Sequence, residues 1–193
     1  MTTPCPLLIQ NNLVPLSATL IHTNASGHIA APTSPSLGIL FPPEDMLQAG
    51  AHSLPFPTNF LLQSNGTGLV ADTSSTLEAL GILIPLMIDP HRCIGRDIHF
   101  HIDNFAVVCS FKKRRRGDRL AHTVIGAAYL VAAVALACKL FVTWIPSRSN
   151  VASVLADDLT HIDFTSTLAT YPHCSTTEHN FSFHLSLIVC KTI

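Results

Sequence analysis

Charge is scarce in this chain: Asp, Glu, Lys and Arg together make up 12% of its 193 residues. A disordered, solvating chain is thereby excluded, because 48% of the residues are hydrophobic and a chain of this length can enclose one substantial core. Closely spaced cysteines are also lacking. Cys5, Cys93, Cys109, Cys138, Cys174 and Cys190 are far apart and form no C-x-x-C pair, which argues against a zinc knuckle or a compact disulfide framework. They read as reduced thiols. The N-terminal stretch MTTPCPLLIQNN lacks a cationic start followed by a long apolar run, so no signal peptide is expected. No internal repeat is visible.

Basic residues are sparse except in one place. Six of the eleven Lys and Arg residues fall between Lys112 and Arg119, so a formal net charge of -1 conceals a strongly basic segment. Lys112, Lys113, Arg114, Arg115 and Arg116 are consecutive. Such a run can grip a phosphate backbone with sequence-independent, salt-sensitive affinity, or it can be a solvated loop or a nuclear localisation run.

One apolar stretch permits two readings. From Thr123 to Ile145, TVIGAAYLVAAVALACKLFVTWI carries Lys139 as its only charge and follows the basic run, as a single membrane span over 123–145 would. Lys139 lies well inside it, however, and LFVTWIP is β-branched and aromatic ahead of a proline. That favours a buried small-residue helix followed by a core strand.

The remaining pattern predicts an α/β order. Apolar runs at Leu16–His22, Leu37–Phe41 and Phe60–Gln63 read as strands between irregular turns rich in Pro, Ser, Thr, Asn and Gly. A helix is expected over about residues 75–89, opened by Ser and Thr residues able to cap it and interrupted at Pro85. In DIHFHID the alternation puts Ile98, Phe100 and Ile102 on one face of a strand and His99, His101 and Asp103 on the other. The two histidines read as a plain strand face, since no later histidine completes an H-x-H-x-D metal motif. A short helix over 105–111, a helix from about 120 to 138, a strand over 140–145 and a helix near 151–161 follow. The predicted fold class is therefore α/β: a meander of early strands, later strands joined by helical crossovers, and a mixed five-stranded sheet flanked by helices.

In that topology Glu78, Asp103 and Asp157 come together, either as three unrelated surface acids or as a cluster that needs a cation. The motifs bear on the choice. Asp103-Asn104, then Trp144-Ile145-Pro146-Ser147-Arg148-Ser149-Asn150, then Ala156-Asp157-Asp158-Leu159-Thr160 resemble, in order and spacing, the ribonuclease H domains that follow reverse transcriptase in retrotransposons, especially those of DIRS-like elements. The resemblance covers about residues 73–164, is weak over 16–70 and is absent beyond.

The resemblance implies a ribonuclease H-like fold that binds an RNA/DNA hybrid and hydrolyses its RNA strand with two Mg²⁺ ions. It assigns the catalytic and metal-binding acids to Glu78, Asp103 and Asp157, with Asp158 as a substitute for the last. The first acid of the family falls on Asn24, in HTNASGHIA, where an amide is a weaker ligand for a hard cation than a carboxylate. Asn24 can equally be a turn residue. Lys112, Lys113, Arg114, Arg115, Arg116 and Arg148 would then contact nucleic acid, and the natural partner would be the reverse transcriptase domain of a parent polyprotein. The expected organisation is an N-terminal leader over 1–15, the ribonuclease H-like domain over 16–164 and a poorly packed tail over 165–193, in an intracellular protein. A catalytically dead nucleic-acid-binding or vestigial protein is the alternative that Asn24 favours.

Overall fold

A computed structural model describes residues 14–15, 17–26, 35–44, 47–56, 73–113, 119–146 and 151–179. Three strands come first: β1 (Thr19–Ser26), β2 (Ser36–Phe41) and β3 (Gly50–Pro55). They form an antiparallel meander in which His22 lies opposite Leu40 and Ile39 opposite His52. Helix α1 (Thr73–Ile88) then crosses over to β4 (Asp97–Ile102), which lies parallel to β1. Parallel neighbours cannot be joined by a hairpin, so a second crossover is needed. Helices α2 (Phe105–Lys113) and α3 (Arg119–Leu130) supply it, leading to β5 (Lys139–Trp144) parallel to β4. Helix α4 (Val151–Thr160), helix α5 (Thr165–Thr170) and β6 (Ser175–Glu178) complete the order.

The sheet runs β5-β4-β1-β2-β3-β6, six strands where five were expected. The extra strand comes from the segment expected to be poorly packed: β6 pairs parallel with β3, and α5 precedes it. The third strand is also not the one that periodicity suggested. GAHSLP forms β3 although Gly, Ser and Pro are poor strand formers, while the run at 60–63 lies outside the described residues. Strand β5 was expected to have a neighbour on each side, but it is an edge strand among the described residues.

The larger core lies on one face of the sheet. Ile21, Leu37, Ile39, Ile98, Phe100, Ile102 and Val142 meet Leu77, Leu80 and Ile84 of α1 and Val124, Ile125 and Ala128 of α3. Helix α1 sits between sheet and α3, which explains why its sequence is apolar on nearly every side. Pro85 does not end it; the helix continues to Ile88. The apolar stretch over 123–145 resolves into three pieces. Helix α3 stops at Leu130, a π-helical turn covers Val131–Ala135, and Ala137 turns the chain at φ 50° into β5. Among the described residues no helix is long and apolar enough to cross a membrane, so the alternative of a span over 123–145 does not hold.

On the opposite face α4 packs over β1, β2 and β3, with Leu155 and Leu159 in a small cluster with Leu40 of β2 and Ala51 of β3. It comes very close at one point. A Cβ on Gly38 would lie 2.0 Å from the Ala156 carbonyl oxygen and 2.9 Å from Leu159 Cβ. The Ser36 hydroxyl also donates to the Thr160 carbonyl, clamping the helix end to β2. Gly38→Ala is therefore expected to lower the unfolding free energy by about 1–3 kcal/mol, the overpacking range, by forcing α4 off the sheet. Chemical denaturation measures this; an unchanged midpoint would show that α4 does not need that close approach.

Candidate active site

Strands β1 and β4 are parallel and pair through Thr23 and Ile102, so Asn24 and Asp103 leave adjacent strands at the same end. Two helices from opposite faces bring the other two residues there. Helix α1 places Glu78 against the end of β1, where Glu78 Oε1 accepts the Ala25 backbone N–H at 3.0 Å. Helix α4 places Asp157 on the other side, where Asn24 Nδ2–H donates to Asp157 Oδ1 at 2.8 Å. Asn24 is therefore not a solvated turn residue: it is 7% exposed and lies within β1. The structure thus brings together Asn24, Glu78, Asp103 and Asp157. Asp157, not Asp158, makes the bond to Asn24.

Electrostatics distinguish these groups. Glu78 is 2% exposed, and burial together with the neighbouring Asp103 and Asp157 carboxylates pushes its pKa well above the ordinary value. Its second oxygen, Oε2, is buried and accepts no N–H or O–H. A proton on Glu78 removes the repulsion and allows a hydrogen bond to the Asp103 side chain beside it. The backbone N–H of Ala25 favours the charged form but is outweighed.

The histidines of the adjoining sheet surface add no positive charge beside the acids at pH 7. His22, His99 and His101 cluster there on β1 and β4, with ring centroids 4.7 Å apart for His22 and His101 and 4.5 Å for His99 and His101. Burial lowers the pKa of His22 to about 4 and that of His101 to about 3, so both are neutral at pH 7. His99 is lowered as well, by burial and by Lys112, and its Nε2 bonds Thr143 Oγ1 at 2.8 Å.

The donor set as placed does not fit the two Mg²⁺ ions implied by the sequence resemblance. Among the described residues no three Asp, Glu, His or Cys side chains are grouped so as to hold a metal ion. Asn24 contributes a neutral amide whose N–H is turned on Asp157, and Glu78 favours its proton. Of the expected nucleic-acid contacts, Lys112 is exposed on α2 and Lys113 is the last residue of that helix; Arg114, Arg115, Arg116 and Arg148 lie outside the described residues.

The architecture itself has close parallels. Ribonuclease H1 of the halophilic archaeon Halobacterium salinarum superimposes with a TM-score of 0.51 over 76% of this chain and 99% of its own, at 12% identity. The fold is ribonuclease H-like. LC11 ribonuclease H1, isolated from compost by a metagenomic approach, superimposes with a TM-score of 0.50 over 79% of this chain and 99% of its own, at 13% identity. No family profile matches the chain, and no curated protein matches it in sequence.

Sequence reasoning passed over two features of this end of the sheet. The Ala25 backbone N–H carries no side-chain signature, and His22 joins His101 only through the register of β1 and β4. The buried carboxyl group gives a direct test. The folded state favours the protonated form of Glu78, whereas the unfolded chain releases that proton above about pH 4.5, so stability falls as pH rises from there through the raised folded-state pKa. Glu78→Gln removes this penalty. The variant is expected to melt at a higher temperature than the unaltered chain at pH 7, with the difference closing below pH 4.5; equal melting temperatures at pH 7 would show that Glu78 is not strained.

Proposed function

We propose that this chain is a retroelement-derived, DIRS-like ribonuclease H-like domain that binds an RNA/DNA hybrid and in which hydrolysis of the RNA strand is impaired. The observation that carries this reading is the Asn24–Asp157 hydrogen bond of 2.8 Å at the end of β1, beside Glu78 and Asp103. The acids that the sequence resemblance assigns to catalysis share one end of the sheet, and the position where a carboxylate is missing is in contact with one of them.

The chemistry explains the impairment. A hydrolytic site of this type relies on a concentrated negative charge that recruits divalent cations. Here an amide removes one charge and a proton on Glu78 removes another. The amide also occupies an Asp157 oxygen with a donor, holding that carboxylate in an internal bond. Hybrid binding does not depend on these groups, because phosphate contacts from Lys112 to Arg116 and from Arg148 supply sequence-independent affinity. A reverse transcriptase domain of a parent polyprotein would deliver the hybrid. The same features support the second reading, a catalytically dead nucleic-acid-binding or vestigial protein, and activity separates the two.

Hybrid cleavage by the unaltered chain in Mg²⁺ is expected to be slight or undetectable. Asn24→Asp is expected to raise Mg²⁺-dependent cleavage, and adding Asp103→Asn to abolish the gain. Gel assays of a labelled hybrid measure both. Efficient cleavage by the unaltered chain would sink the impairment, and an inert Asn24→Asp would favour the catalytically dead protein.

Neutralising Lys112, Lys113, Arg114, Arg115 and Arg116 together is expected to weaken hybrid binding and flatten its dependence on salt. Each lost phosphate contact lowers the log–log slope by about 0.9 on duplex DNA, and a similar decrement applies to a hybrid. An unchanged slope in a salt titration removes the run from the binding surface.

A further inference from the structure

Two aromatic side chains stand exposed beside the acidic cluster. Phe105 is 62% exposed and Trp144 42%, with ring centroids 5.9 Å apart at an interplanar angle of 81°. Neither ring depends on the other alone for its position. Trp144 Nε1–H donates to the Asp103 backbone carbonyl at 2.8 Å, which ties the indole to the residue carrying one of the acids. Phe105 opens α2, whose first turn is held by Asn104 Oδ1 accepting the Val107 N–H at 3.2 Å. The Ile145 N–H donates to the Ile102 carbonyl at 3.0 Å, so the strand pairing extends past Trp144. The pair is therefore a fixed aromatic step rather than two loose surface rings.

Charge on the same helix indicates what would cover it. Phe105, Cys109 and Lys112 are spaced i, i+4, i+7 and share one face of α2, on which Lys112 is exposed and Cys109 half-buried. A helical rise puts Lys112 about 10 Å along the axis from Phe105. A flat apolar surface next to a cation suits a group that has both an apolar ring face and an anionic link, which is the chemistry of a nucleotide. Aromatic side chains hold unpaired bases by stacking, whereas bases inside a duplex keep their faces against one another.

We propose that Phe105 and Trp144 form a stacking platform for an unpaired nucleobase, so that this domain engages a single-stranded extension of a hybrid in addition to the duplex. The inference rests on the hybrid-binding reading above and adds the form of nucleic acid recognised. The adjacent cation, Lys112, holds the phosphate of the same strand.

Trp144 is the only tryptophan in the chain, so its emission reports on this surface without labelling. The probes are a short RNA/DNA hybrid with a single-stranded RNA overhang and its blunt counterpart, with binding followed separately by anisotropy of a dye on the DNA strand. The overhang hybrid is expected to quench Trp144 in step with binding, and the blunt hybrid to bind without quenching. Phe105→Ala is expected to weaken binding of the overhang hybrid about tenfold, within the range for losing one stacked base, while Phe105→Tyr retains it. Circular dichroism establishes that each variant is folded; if Phe105→Ala is not, quenching in the unaltered chain decides. Binding of the overhang hybrid with unchanged Trp144 emission, equal quenching by both hybrids, or full affinity in folded Phe105→Ala overturns the platform and leaves hybrid binding standing. Failure of both hybrids to bind overturns this inference and the hybrid-binding reading together.

Discussion

The parallel pairing of β1 with β4 is the contact on which the rest of this molecule depends. It puts Thr23 beside Ile102 and so delivers Asn24 and Asp103 to one end of the sheet. It also imposes the topology, because the chain must return by way of α1 to lay β4 alongside β1 in the same direction. That return carries Glu78 across the core face, where Gly81 lies so close to β1 that a Cβ would stand 2.8 Å from Thr23 Oγ1. On the other face Gly38, opposite Asn24 in the β1–β2 register, lets α4 approach until Asp157 reaches the amide. Two glycines on opposite sides of the sheet thus admit the two helices that complete the cluster.

Legibility in the sequence followed the strength of local pattern. DIHFHID declares its two faces by strict alternation, and the structure buries Ile98, Phe100 and Ile102 while leaving His99 and His101 half-buried. Helix α1 was legible by length and by its apolar content, and β5 by its β-branched and aromatic residues. Where local propensity and tertiary demand disagreed, the reading failed. Strand β3, GAHSLP, is a strand because β2 on one side and β6 on the other satisfy its backbone, not because its residues favour one. Strand β6, STTE, is short, polar and largely exposed, so it carries no hydrophobic alternation to read. The end of α3 was invisible for another reason: alanine and leucine continue through it, and the π turn and the positive φ of Ala137 arise where the chain must reverse into β5.

The acidic cluster was legible only in part. Coarse topology and the sequence resemblance led to the expectation that Asn24, Glu78, Asp103 and Asp157 meet, and the structure brings them together. The state of each group was not readable. The elevated pKa of Glu78 follows from burial and from the distance to Asp103 and Asp157, quantities that exist only once helices on both faces have docked. The neutral histidines next to the cluster belong to the same class of fact: His22 is polar in sequence, yet it is 2% exposed and held below its ordinary pKa by burial.

These charge states have a structural consequence. Glu78, Asp103 and Asp157 gather three carboxyl groups at one end of the sheet, and without a cation the repulsion among them acts against the fold. This chain eases that repulsion at two points without one. Asn24 donates its amide N–H to Asp157, and burial favours the protonated form of Glu78. The cluster is then compatible with a stable sheet in the absence of metal. The same features lower the negative charge density at this end of the sheet. The hydrogen bond between Asn24 and Asp157 therefore ties α4 to β1 at a point where two carboxylates would drive them apart.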